Sequence, residues 1–268
     1  MRTNQAVIMK KQIFLFKYVI GLGVLLLLLF KIGTFIEIVF IKMLHIPYGS
    51  LSVGIAGIIT QAAAFIVVIG VGLRNQRKTL SSVCVFKKVS GGVWGAAILC
   101  SIGYTLFSFY LNNLFYSFLY GWDTDLGETE GNFFINLIDI AVIPAVAEEL
   151  LIKGLVFTIL KKYYSTIVSV IIASLMFAVL HLTPIRIIPL FVSSCFTFWV
   201  YFRSGSLILP MFLHFIHNLF TFVLISEPFA SLGTFYAALV LFGAGSYLLY
   251  RQRKDELENI AKKKNTHE

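Results

Sequence analysis

The stretch AVAEELLIKG, residues 145–154, decides how the whole chain is interpreted. It lies within an apolar segment, residues 132–160, which is long enough to cross the hydrocarbon core of a bilayer as a helix. The segment nevertheless contains Glu148, Glu149 and Lys153. An ionisable side chain at the centre of a membrane helix costs about 2.5–3.5 kcal/mol on insertion scales. Three together therefore predict either a buried ion pair that orders a helix bundle or a functional site.

The composition is that of a polytopic membrane protein. The chain has 268 residues, of which 58% are hydrophobic and 13% are charged, and its mean hydropathy is +0.87. A soluble domain of this length would carry more charge. Because each span needs roughly 20 apolar residues, we predict an all-α polytopic membrane protein with about eight transmembrane helices, forming one integral-membrane domain over residues 1–268. The apolar segments that carry this prediction are 13–41, 51–73, 91–118, 132–160, 165–182, 187–202, 207–225 and 231–250.

The charges between the segments predict the orientation. The formal net charge is +9, and basic residues cluster between the second and third segments, between the fourth and fifth, and after the eighth. The stretch GWDTDLGETEGN, residues 121–132, is acidic instead. Since cytoplasmic loops are enriched in Lys and Arg, both termini are predicted to be cytoplasmic, with residues 251–268 as a basic tail that is either a short helix or disordered. Basic residues used in this way argue against a nucleic-acid partner and for the lipid bilayer as the surroundings.

Several segments depart from a plain transmembrane helix. The first exceeds one perpendicular span, so tilt or an interfacial extension is expected, and it is predicted to be retained because no small-residue cleavage site follows it. The sixth is bounded by Pro184 and Pro189 and is expected to be tilted or irregular. The aromatic run FTFWVYF, residues 196–202, is predicted to face lipid or to form part of an interfacial aromatic belt, and not a cofactor site. The 3 cysteines lack CxxC spacing and predict neither a disulfide framework nor a zinc knuckle.

Two further apolar segments contain polar residues whose presence in a membrane helix needs an explanation. FAVLH begins at Phe177 and ends at His181, and HFIHN runs from His214 to Asn218. Residues four apart lie on the same face of a helix, so His214 and Asn218 can face one cavity, and the ring of Phe177 is expected one turn below the imidazole of His181.

The same spacing rule separates the two adjacent glutamates. Glu149 and Lys153 are four residues apart and are predicted to pair. Glu148 points about 100° away from Glu149, so we expect that one helix cannot aim both carboxylates at the same partner.

A glutamate with one histidine from each of two other helices is the set of groups needed to activate a water molecule. The carboxylate can accept a proton from water, and His and Asn side chains can donate hydrogen bonds to the oxyanion of a tetrahedral intermediate. The same Glu and two His could instead bind zinc. The sequence contains neither HExxH nor GxSxG. Both mechanisms stay open, with either no cofactor or a divalent metal such as zinc.

The three motifs resemble a known family. EELLIK, FAVLH and HFIHN follow the order of the EExxxR, FxxxH and HxxxN motifs of the CPBP intramembrane proteases, which comprise CAAX proteases and bacteriocin-processing enzymes and are also called Abi proteins. The resemblance covers about residues 130–225, the predicted family core. It implies that Glu148, with Glu149 beside it, is the catalytic glutamate and that His181 helps to activate the water. It also implies that His214 and Asn218 stabilise the oxyanion.

The resemblance also places the remaining site residues. Lys153 and Phe177 are expected to support the site, and Lys153 stands where the motif has arginine, which keeps the charge but loses the bidentate fork. His217 lies outside the motif pattern and is expected to be structural or accessory. If a metal takes part, its candidate ligands are Glu148, His181 and His214.

The predicted function is that of an intramembrane endopeptidase in a bacterial cell membrane. Its expected substrate is a membrane-associated protein or a hydrophobic peptide precursor, in peptide maturation or bacteriocin self-immunity. One alternative is a non-proteolytic membrane scaffold or regulator, for example of a sensor kinase. Another is a proton-coupled transporter, which would show matching polar groups in two repeated halves, and no such repeat is visible in the sequence. The sequence predicts no oligomeric state.

Overall fold

Regular structure in this protein is helical throughout the part that can be described. The computed structural model describes residues 2–47, 49–120, 132–223 and 231–265, and it contains no strand within those ranges. The prediction of an all-α protein is therefore confirmed. The α-helices, in chain order, are α1 (Arg2–Met43), α2 (Leu51–Asn75), α3 (Leu80–Val83), α4 (Gly91–Tyr120), α5 (Phe133–Leu137), α6 (Ile143–Glu149), α7 (Phe157–Leu160), α8 (Thr166–Leu180), α9 (Ile187–Ser204), α10 (Ile208–Val223) and α11 (Leu232–Asn265).

Helices α5, α6 and α7 form one continuous rod, which we call the interrupted helix. Two π-helical turns, Ile138–Val142 and Leu150–Val156, join its three parts. Pro144 opens α6 directly after the first π turn. Proline has no N–H and cannot donate to the carbonyl of the residue four positions earlier, which here is Ile140. The local sequence therefore leaves a backbone acceptor in the middle of an apolar rod.

The helices coincide with the predicted apolar segments, the interrupted helix taking the place of the fourth. Helices long and apolar enough to cross a membrane are found at Gln5–Met43, Leu51–Asn75, Gly91–Leu111, Pro184–Ser204 and Leu232–Gln252. Shorter apolar helices lie at Thr166–Leu180 and Ile208–Phe222. The chain is thus a multi-pass integral membrane protein. The count of eight spans and the cytoplasmic placement of both termini stay predictions, and most of the acidic stretch used for the orientation, residues 121–131, lies outside the described residues.

Three local predictions can be compared with these helices. The first segment belongs to a single helix of 42 residues, about 63 Å long at 1.5 Å per residue, so it exceeds one perpendicular span as expected. The sixth segment, 187–202, is a regular part of α9, and the irregular 3₁₀ turn, Pro184–Arg186, lies directly before it. The basic tail is helical as far as Asn265, because α11 continues through it.

The helices pack in two groups around the interrupted helix and α10. One apolar cluster joins α1, α2, α8 and the interrupted helix, a second joins α4, α10 and α11, and α9 contributes to both. In the second group α4 and α11 approach backbone to backbone. A Cβ atom at Gly103 would lie 2.4 Å from the Phe242 backbone nitrogen, and one at Gly245 would lie 2.5 Å from the Cys100 nitrogen. Small residues allow such close crossings in membranes, and this pair forms a wall against which α10 is held.

Candidate functional site

A buried ion pair lies at the centre of the interrupted helix. Lys153 Nζ lies 2.5 Å from Glu149 Oε2, and the side chains are 1% and 4% exposed. The predicted pairing across four residues is confirmed. A buried pair of charges is tolerated only when each charge finds its partner and the remaining polar atoms are bonded.

The ring of Phe198 covers the ammonium group from the side of α9. Lys153 Nζ lies 4.6 Å from the ring centroid, and Phe198 is fully buried. Phe196, from the same aromatic run, is 8% exposed. The prediction that this run faces lipid is therefore wrong for these two rings. The reason is that a charged residue inside an apolar bundle needs apolar and π-electron cover, and α9 turns its aromatic side inward to provide it.

His214 of α10 connects both glutamates. Its Nδ1 lies 3.2 Å from Glu149 Oε1, and its Nε2 lies 3.8 Å from Glu148 Oε2. The expectation that one helix could not aim both carboxylates at the same partner is wrong. An imidazole ring presents nitrogens on two different edges, so two carboxylates that diverge by about 100° can each approach a different edge.

The hydrogen bonds fix the orientation of the two histidine rings. Since a carboxylate only accepts, His214 Nδ1–H donates to Glu149, and Nε2 is the atom turned toward Glu148. His181 ends α8, and its Nδ1–H donates to the Phe177 carbonyl over 2.8 Å. The ring of Phe177 stands edge-on to both imidazoles, with centroid distances of 4.8 Å to His181 and 5.9 Å to His214. In its neutral form His181 therefore keeps Nε2 as an acceptor.

Asn218 reaches the interrupted helix one turn beyond His214. Its Nδ2 donates to the carbonyl of Ile140 over 3.2 Å. This carbonyl lies four residues before Pro144, which has no N–H to donate to it. The π turn and the proline therefore supply the anchor that holds the Asn218 amide in place.

These side chains meet at one cavity of about 380 Å³. Glu148, His181, His214 and Asn218 all line it. The Glu148 side chain is 19% exposed, and its Oε2 atom makes no hydrogen bond to the residues that the structure describes. Glu149 lies behind His214 and does not line the cavity. The structure thus brings the sequence-predicted residues together but gives the two glutamates different positions.

His217 also lines the cavity, although it lies outside the motif pattern. Its Nδ1 is 3.1 Å from Thr105 Oγ1 on α4, and its ring lies against Tyr104 with a centroid distance of 5.5 Å. The residue therefore links α10 to α4 at the wall of the cavity.

Sequence reasoning missed several polar residues of this cavity. Asp139 is one, and as an ionisable residue inside the fourth apolar segment it carried the same signal as Glu148. Arg186 and Tyr104 are others, and Tyr104 donates its hydroxyl to the Pro189 carbonyl over 3.0 Å. Arg186 directly precedes the sixth apolar segment, where arginine is common as an interface anchor. Tyr104 is an uncharged residue in the middle of the third segment, so neither sequence position indicated a cavity.

The candidate metal ligands do not form a metal centre in this arrangement. Glu148, His181 and His214 share the cavity wall, but the described part of the chain has no group of three or more His, Cys, Asp or Glu side chains placed to hold a metal ion. We therefore derive no catalytic step through a metal.

The comparisons with known proteins fall on the same segment as the site. Residues 130–220 match the family model described as type II CAAX prenyl endopeptidase Rce1-like. No curated protein and no solved structure matches the chain. The match spans Glu148, His181, His214 and Asn218, which lie on the three motifs, and it confirms the resemblance drawn from them. The site-bearing segment of this integral membrane protein is therefore similar to the Rce1-like CAAX endopeptidases, a family of peptide-bond hydrolases.

Proposed function

We propose that the protein is an intramembrane endopeptidase in which Glu148 activates the water that attacks a peptide bond. The observation that carries this proposal is the meeting of Glu148, His181 and His214, from three separate helices, at one cavity within the matched segment. The Glu148 side chain is 19% exposed and its Oε2 makes no hydrogen bond to the described residues, so it is suited to accept a proton.

The first step uses the two acceptors on the cavity wall. A water molecule donates one hydrogen bond to Glu148 and another to Nε2 of His181, which leaves an oxygen lone pair for the scissile carbonyl carbon. Glu148 takes the proton as the carbon–oxygen bond forms, and the carbonyl oxygen becomes the oxyanion. Phe177 keeps the His181 ring in place from the apolar side.

The second group of residues stabilises the oxyanion. Because the Nδ1–H of His214 is bonded to the Glu149 carboxylate, the ring can carry a proton on Nε2 as well and donate it as a charged hydrogen bond. Asn218 offers the second N–H of its amide. Glu148 then returns its proton to the leaving nitrogen, the C–N bond breaks, and the products are a carboxylate and an amine.

Glu149 and Lys153 act as positioning residues in this mechanism. Lys153 holds Glu149 as a carboxylate, and Glu149 holds His214 in the tautomer that turns Nε2 to the cavity.

The wider assignment rests on the family. The substrate would be a membrane-associated protein or a hydrophobic peptide precursor, and the process would be peptide maturation or bacteriocin self-immunity in a bacterial cell membrane. The unit that performs it would be the whole chain, 1–268, as one membrane domain. Family-level analogy supports these points, whereas the geometry supports the chemistry.

A cleavage assay on the purified protein in lipid nanodiscs tests the proposal. The probes are a prenylated CAAX peptide and a bilayer-spanning hydrophobic peptide, each with a fluorophore and a quencher. We expect cleavage by the wild type and its loss in Glu148→Ala and in His181→Ala, with the new ends read by mass spectrometry. Unchanged cleavage in both variants would contradict the proposal. A chelator added to the wild type shows in the same assay whether the reaction depends on a divalent metal.

A further inference from the structure

A second, mainly apolar cavity adjoins the polar one at Glu148. Its volume is about 140 Å³, and we call it the α1–α2 pocket because those helices form its outer wall. Leu26 and Phe30 come from α1, and Phe65 comes from α2. The Phe30 and Phe65 rings stand edge to face with centroids 5.5 Å apart. This wall is held by packing, since Leu26 and Phe65 are each 3% exposed.

Three residues line both cavities and form the partition between them. These are Glu148, Phe177 and His181. Two of the three are the groups that hold the attacking water in the proposed function. A peptide bond brought to Glu148 therefore has a polar cavity of about 380 Å³ on one side and the apolar pocket on the other.

The size of the pocket limits what can occupy it. An engineered cavity of about 150 Å³ lined by Leu, Ile and Phe stays dry and binds benzene. The α1–α2 pocket, at about 140 Å³ and lined mainly by the same residue types, has room for a group of that size. A leucine, isoleucine or phenylalanine side chain meets that limit, whereas an indole or a long alkyl chain exceeds it.

We propose that the α1–α2 pocket is a specificity subsite that receives one apolar side chain of the substrate, from a residue adjoining the scissile bond. This inference rests on the proposed function of Glu148. The outer wall of the pocket, Leu26, Phe30 and Phe65, lies outside residues 130–220, so the selectivity comes from α1 and α2 and the chemistry from the matched segment.

A series of peptides that differ only in the residues next to the cleaved bond tests the subsite. Each flanking position carries Ala, Val, Leu, Phe or Trp in turn, and kcat/KM is measured for the wild type in nanodiscs. At one flanking position we expect kcat/KM for the Leu or Phe peptide to exceed that for the Ala peptide by about tenfold or more, because each methylene buried in an apolar pocket favours the larger side chain. We expect kcat/KM for the Trp peptide to be lower than for the Phe peptide.

Pocket variants should move this preference in opposite directions. Phe30→Ala enlarges the pocket and should raise the Trp to Leu ratio of kcat/KM several-fold. Leu27→Phe fills part of the pocket and should raise the Ala to Leu ratio. Phe35→Ala is the matched control, because Phe35 is on the same helix, is 67% exposed and does not line the pocket. Thermal unfolding of each variant confirms that the folded protein is compared.

The outcomes separate the subsite from the proposed function. The subsite would be overturned if cleavage depended on Glu148 but the side-chain preference were the same in Phe30→Ala, Leu27→Phe and Phe35→Ala. The proposed protease function would stand in that case. A pocket variant could instead change the cleavage rate for all peptides equally, by an amount that depends on the acyl length of the nanodisc lipid. This result would assign the pocket to a lipid chain and would also overturn the subsite. Absence of Glu148-dependent cleavage would remove the proposed function and the subsite with it.

Discussion

Two adjacent glutamates on the interrupted helix have opposite surroundings. Glu149 is buried, paired with Lys153 and bonded to His214, so its charge is fully used by the protein. Glu148 faces two cavities, and its Oε2 makes no hydrogen bond to the described residues. The first arrangement stabilises a charge and orients a ring, whereas the second leaves a carboxylate available to a substrate. Under the proposed function, two residues with the same chemistry, one position apart, are divided between structure and reaction.

The largest expected effect comes from breaking the buried ion pair. Lys153→Met leaves the Glu149 carboxylate buried beside His214 without its cation. Removing one member of such a pair typically costs about 3–5 kcal/mol, so we expect a large fall in the free energy of unfolding, measured by denaturation in mixed micelles. The double variant Glu149→Gln with Lys153→Met should recover most of the loss, because neither partner is then a buried unpaired charge. Equal unfolding free energies of the single and double variants would show that Glu149 and Lys153 do not stabilise each other.

A smaller effect is expected at the amide that is proposed to support the oxyanion. Asn218→Ala removes both the proposed oxyanion donor and the hydrogen bond to the Ile140 carbonyl. Losing one oxyanion donor costs about 100–1000-fold in kcat in other enzymes. We expect a loss toward the lower end of that range, since His214 remains, with KM little changed. A loss confined to KM would assign Asn218 to substrate binding instead.

Pro144 provides a more indirect test of the same contact. Pro144→Ala restores an N–H four residues after Ile140 and lets the helix compete for the carbonyl that holds Asn218. We expect stability to stay equal or rise while kcat falls several-fold. The control is Pro184→Ala, which changes the 3₁₀ turn outside the interrupted helix. Full activity in Pro144→Ala would mean that Asn218 is positioned by other contacts.

The smallest predicted effect concerns the ring that covers Lys153. Phe198→Leu keeps most of the apolar volume but removes the π face 4.6 Å from Nζ. Cation–π contacts contribute about 0.5–2 kcal/mol, so a decrease in unfolding free energy of that order is expected. Phe202→Leu, on the same helix and 42% exposed, should change it less.

Much of the fold and of the site could be predicted from the sequence. Apolar length located the helices, and four-residue spacing placed Glu149 with Lys153 and Phe177 with His181. Ionisable residues in apolar segments pointed to the site because their cost in a membrane is high. These signals are local, so a single sequence contains them.

The remaining features depend on contacts between helices or on departures from the ideal helix. Pro144 has no N–H to donate to the Ile140 carbonyl, and only the approach of α10 shows that Asn218 uses this acceptor. Both glutamates contact His214 because α10 crosses the interrupted helix at their depth in the bundle. The boundaries of the apolar segments do not specify that depth. The inward face of Phe198 depends on Lys153, which lies in another segment.

The most direct test compares Glu148→Gln with Glu149→Gln, at equal amounts of folded protein in nanodiscs, for peptide cleavage and for unfolding free energy. We predict that Glu148→Gln loses about 100–10,000-fold in kcat, the range for a general base, and retains wild-type stability. Glu149→Gln should lose stability and should cleave measurably whenever it is folded. Cleavage that survives in Glu148→Gln and disappears in folded Glu149→Gln would contradict the division of roles between the two glutamates.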